Sequence, residues 1–119
     1  MHEQFKECIE ECLACLTECN HCFEACLKEE DVKMLETCIR LTRECADICG
    51  YAASAMSRGS QFSTEICNLC ADICEACAIE CEKHSNHHIH CKKCAEDVPI
   101  FAEKWLANRM VTSLFLFDF

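Results

Sequence analysis

A chain of 119 residues with a formal charge of −10 and only eleven Lys and Arg is one domain, and it lacks the clustered cations that a nucleic-acid partner requires. Two glycines, one proline and long stretches of Glu, Lys, Ala and Leu exclude a strand-rich fold and predict an all-α protein. The composition has one anomaly, sixteen cysteines.

The opening Met1-His2-Glu3-Gln4-Phe5-Lys6-Glu7 has no apolar run of the secretory kind, so the expected location is cytoplasmic. Thiols stay reduced there, and dense cysteine then points to metal or redox chemistry rather than to a disulfide framework. From about Glu3 to Lys28 the spacing predicts a first helix. In it Cys8, Cys12, Cys15, Cys19, Cys22 and Cys26 step by four and three, which stacks the thiols along one face. Phe5, Ile9, Leu13, Leu16, Phe23 and Leu27 run one register over. This row is expected to supply helix packing, at roughly 1.5–3 kcal/mol per fully buried side chain, leaving the sulfurs for another task.

The polar run Glu29-Glu30-Asp31 ends that helix, with Asp31 as the expected cap of the second, which extends to about Met56 and carries Cys38, Cys45 and Cys49. Arg58-Gly59-Ser60 reads as its stop, and Ser60 or Ser63 as the cap of a third helix reaching about Lys83. The third helix repeats the cysteine device with Cys67, Cys70, Cys74, Cys77 and Cys81, flanked by Ile66, Leu69, Ile73 and Ala76. His84-Ser85-Asn86-His87 turns the chain into a fourth helix carrying Cys91 and Cys94 and meeting Pro99, which should kink or restart it. Three short connections imply an antiparallel up-down-up-down four-helix bundle with a cysteine-lined core, spanning residues 1–109. The remaining residues, 110–119, form an apolar tail far short of the roughly 20 residues that a membrane span needs.

One or two cysteines in a bundle core act as small hydrophobes, but sixteen in register do not fit that role, since Leu, Ile or Ala would fill the same space without oxidation risk. Soft thiolates select Cu(I), Zn(II) or iron–sulfur clusters. Ferredoxin ligand runs lie in loops and carry a following proline, and zinc-ribbon knuckles are turns, whereas these pairs lie in uninterrupted helical sequence. A divalent ion held by four thiolates leaves two negative charges, and several stacked in a dry tube repel. One monovalent ion per thiolate leaves the lumen near neutral, which places multiple Cu(I) ions first. A zinc or cadmium thiolate buffer and a structural helical interaction protein are the alternatives. A cysteine nucleophile needs one activated thiol beside a base, and nothing singles one cysteine out, so an enzyme is not expected.

The repeated Cys-x-x-x-Cys and Cys-x-x-Cys steps, Asn20-His21-Cys22, and His87-His88-Ile89-His90-Cys91-Lys92-Lys93-Cys94 resemble the cytosolic copper storage proteins. The likeness covers residues 1–96. It implies storage or sequestration of many Cu(I) ions inside a four-helix bundle, and a homo-oligomer, most often a tetramer. After Cys94 the chain departs from the family pattern, because Val98, Phe101 and Trp105 stand where further cysteines would fall.

Bundle topology separates two ends. Lys28–Asp31 and His84–His87 lie at one, with Met34, His84, His87 and His88. At this end Cu(I) is expected to enter and pass to Cys26, Cys38, Cys81 and Cys91. The other end holds both termini and Arg58–Gln61, with Phe5, Met56, Phe62, Phe101 and Trp105 as an expected plug. His2 and His21 are expected at the surface.

Overall fold

The structure, a computed structural model, describes residues 5–107. Helix α1 spans Lys6–Leu27, α2 Glu36–Ser57, α3 Ser63–Glu82 and α4 Ile89–Asp97, and a 3-10 turn, Val32–Leu35, leads into α2. Helical structure resumes at 99–107 after a one-residue break at Val98. The restart follows from Pro99, whose missing N–H and fixed φ suit a first helical turn. Packing runs around a ring, α1 on α2, α2 on α3, α3 on α4 and α4 back on α1. This is the expected antiparallel bundle, and no strand occurs among the described residues. The expected boundary at residue 109 and the apolar tail 110–119 lie outside the described residues, as does His2.

The connections are built by local chemistry. Gly59 takes a left-handed φ of 65°, Ser60 N–H donates to the Ala55 carbonyl at 2.9 Å, and Gly59 N–H donates to Met56 at 3.2 Å. That pairing is a Schellman stop, and a side chain at position 59 would strain it. Neither Ser60 nor Ser63 caps α3: Phe62 holds the cap position without a side-chain cap bond, and Ser60 Oγ accepts from the Phe62 N–H at 3.1 Å in the turn before it. Asp31 does not cap α2. Its side chain makes no cap hydrogen bond; Oδ2 instead lies 3.0 Å from Nε2 of His88, across the bundle end.

The core differs from expectation in who fills it. Every buried residue within α1 is a cysteine. Leu13, Leu27 and Leu69, expected to do the packing, are each about half exposed, and Ile9, Leu16 and Phe23 are only partly buried. The reason is stripe width: a seam stepping by four and three is the narrow face of a coiled coil, and a residue one position over falls on its flank. The sulfurs are thus the packing core as well as the candidate ligands. Thin side chains also let the helices approach, with Ala46, Ala52, Ala53 and Ala55 buried on α2.

Candidate metal centre

All sixteen cysteines are buried free thiols. Spacing within each helix puts the sulfurs in rows, and the antiparallel ring brings the rows face to face. Cys15 Sγ lies 3.7 Å from Cys45 and 3.8 Å from Cys74, on α2 and α3. Cys49 reaches Cys70 at 3.6 Å and Cys74 at 3.7 Å. Cys38 and Cys81 approach to 3.3 Å, and Cys26 stands 4.0 Å from both Cys38 and Cys91. Two metal–sulfur bonds of roughly 2.3 Å place their sulfurs about 3.8 to 4.6 Å apart, whereas a disulfide needs about 2.05 Å. These separations suit bridging by a metal ion with little movement.

Sets of ligand atoms lying within 4.8 Å of one another recur along the tube. Cys12, Cys49 and Cys70 form one, and Cys15, Cys45, Cys49 and Cys74 the next. Cys19, Cys77 and Cys94 follow, then Cys22, Cys38 and Cys81, and finally Cys22, Cys26, Cys91 and His90. Cys49 is common to the first two sets and Cys22 to the last two, and Cys19 of the middle set lies 3.9 Å from Cys15.

Protonation follows the surroundings. Cys8 and Cys67, toward the terminal end, are pushed up to about 11 and about 12, chiefly because burial disfavours their thiolates. Among the described residues the buried polar side chains are Thr42, Ser63 and His90. Among the described residues no lysine or arginine is buried in the core to offset thiolate charge.

The histidine-rich end lies where topology put it, but the residues divide differently. Met34 is 73 % exposed and His87 is exposed. His84 Nε2 lies 3.1 Å from Glu80 Oε2. His88 places Nε2 on Asp31 and Nδ1 3.5 Å from Glu29. None of these four is brought to the sulfurs in the sets above. His90 is: Nδ1 lies 3.6 Å from Cys22, 3.7 Å from Cys26 and 3.6 Å from Cys91. Sequence reasoning passed over His90, although its place four residues before Cys94 marks the same helical face.

At the other end Phe5, Met56, Phe101 and Trp105 are buried as expected. Phe62 is not, being 57 % exposed in the turn that starts α3, so it takes no part in the plug. The Phe5 and Trp105 rings lie 6.0 Å apart, and the Trp105 indole N–H donates to Asn68 Oδ1 at 2.9 Å. An ion pair between Lys104 and Glu7 closes the outer side.

Known proteins share this arrangement. The copper storage protein family model matches residues 1–106. The Cu(I)-bound copper storage protein BsCsp3 is 51 % identical over 87 % of this chain and 96 % of its own, with a TM-score of 0.82. Apo copper storage protein 3 from Bacillus subtilis is likewise 51 % identical, over 87 % of this chain and 97 % of its own, at TM-score 0.80. A cytosolic copper storage protein from Streptomyces lividans, described with five coppers, is 36 % identical over 90 % of this chain and 92 % of its own, at TM-score 0.85. Among curated protein sequences none matches. A bundle whose four helices turn sulfur rows toward one another, matched by the family model over nearly its whole length, is a member of the copper storage protein family.

Proposed function

We propose that the protein stores or sequesters multiple Cu(I) ions in the cytosol, held by the inward-facing thiolates of its bundle. The observation that carries this reading is the core itself: sixteen buried sulfurs, facing one another across four helices, with no buried lysine or arginine beside them among the described residues. A thiolate in that interior needs a positive charge, and an uncompensated one is too costly to persist. Each cuprous ion that binds a thiol releases one proton and takes its place, so the core stays near neutral however many sites fill. Divalent ions in four-thiolate sites would accumulate two negative charges apiece. Soft sulfur also prefers Cu(I).

The ligands in this reading are Cys8, Cys12, Cys15, Cys19, Cys22, Cys26, Cys38, Cys45, Cys49, Cys67, Cys70, Cys74, Cys77, Cys81, Cys91 and Cys94, joined by His90. Access is at the end where His84, His87, His88 and Met34 cluster around the first and third connections. There His88 and His84 sit within one helical turn of the buried cysteines of α3 and α4, and Met34 and His87 stand exposed as outer donors. The opposite end is closed by aromatic rings. Self-association, with a tetramer favoured by the family resemblance, fits the exposed apolar residues Tyr51 and Leu69, which line a shallow groove with Ile48 and Ile73 on the outer face of α2 and α3. No helix among the described residues is long and apolar enough to cross a membrane. The role is holding the metal rather than turning over a substrate.

Reduced apo protein titrated with Cu(I) against a competing chelator, with bound metal counted by elemental analysis, tests the reading. Storage predicts uptake well beyond the about four ions that a four-thiolate divalent buffer allows. Saturation at one or two cuprous ions per chain, or preferential filling by Zn(II), would refute it.

A further inference from the structure

His90 enters the sulfur core with its ring held from behind by a carboxylate. Nε2 lies 3.2 Å from Glu29 Oε1, in the connection between α1 and α2. We propose that Glu29 is a positioning residue for the metal site, holding the His90 proton on Nε2 so that the Nδ1 lone pair faces the copper taken by Cys22, Cys26 and Cys91. The proposal rests on the copper reading above. A neutral imidazole has one N–H, and a carboxylate oxygen can only accept, so the 3.2 Å contact with Glu29 places the proton on Nε2. Nδ1, 3.6 to 3.7 Å from the three sulfurs, is then a lone pair among ligands. With the proton on the other nitrogen the same ring would donate to sulfur and bind no metal.

The carboxylate also faces a second imidazole. Its second oxygen lies 3.5 Å from His88 Nδ1, and Asp31 takes the other nitrogen of that ring at 3.0 Å. His88 therefore has a carboxylate on each side, and its ring lies 5.3 Å from that of His90. Through its bond to Asp31 it ties the first connection to the start of α4. A carboxylate behind a metal-binding imidazole orients the ring and raises its basicity.

The test uses the full chain, reduced and labelled with 15N-histidine. In the apo protein, long-range proton–nitrogen correlation should show the His90 proton on Nε2; a proton on Nδ1 in the wild type would overturn the proposal. Glu29→Ala should move the proton toward Nδ1 and weaken the tightest Cu(I) equivalents about tenfold to a hundredfold against a competing chelator, with total capacity unchanged. Glu29→Gln keeps an acceptor and should retain the Nε2 proton and most of the affinity. An unchanged tautomer in Glu29→Ala, with affinity within about twofold of wild type, would also overturn it. The tautomer is read without copper, so its outcome is independent of whether the wild type takes up the metal.

Discussion

The two ends of the bundle are built from opposite materials. At one, loop carboxylates and histidines stand beside the set of Cys22, Cys26, Cys91 and His90; at the other, Phe5, Phe101 and Trp105 are buried, with no charged group among the described residues of the core. The polar end offers donors that can exchange a metal and a proton with water. The aromatic end offers neither, and it packs like an ordinary hydrophobic core. The contrast lies within one small fold: aromatic packing is concentrated around Phe5, Phe101 and Trp105, and titratable side chains around the first and third connections.

The largest effect that would break this contrast is at the aromatic end. Phe101 is 1 % exposed, and Phe101→Ala should cost the apo protein about 3–5 kcal/mol in denaturant unfolding, as large-to-small core changes do. A loss below about 1 kcal/mol would mean that the rings do not anchor the bundle. A second test sharpens the other side. Replacing His84, His87 and His88 together by alanine should slow Cu(I) uptake about tenfold while leaving total capacity unchanged, within the range by which a lined mouth focuses its ligand. Unchanged stopped-flow rates would abolish the access role of this end.

The effect smallest at neutral pH is that of protonation. Cys8 and Cys67 are raised from an ordinary value of 9.0 to about 11 and about 12, so the folded state favours their neutral thiols. That contribution is complete below pH 9 and is lost as pH rises toward 11 and 12. The melting temperature of the apo protein should therefore fall across this window, and serine at both positions should flatten the fall. Because copper must displace these protons, filling beside Cys8 and Cys67 should be the last to complete at neutral pH.

Much of this organisation was legible in the residues before any fold. The four-three steps from Cys8 to Cys26 and from Cys67 to Cys81 determine that each helix carries one sulfur face, because side chains at those spacings share a face whatever surrounds the helix. Gly59 determines the stop of α2, since only glycine takes that φ freely. The family resemblance also lay in the cysteine rows, and the comparison with solved relatives bears it out.

Other features were decided only by packing. That the flanking leucines would be half exposed depends on how closely thin cysteine and alanine faces let the helices approach. Asp31 became a partner of His88 rather than a cap because the bundle brought residues 57 positions apart within 3.0 Å. The sequence put His84, His87 and His88 at the expected entry and left His90 aside, yet of the four it is His90 that meets the sulfurs. Its direction depends on where α4 begins, with His88 extended at φ −134° and ψ 116° and the helical rotation counted from there. The chain encodes which side chains share a helix face; which faces meet, and which imidazole turns inward, is set by tertiary packing, because only long-range contact fixes helix rotation and separation.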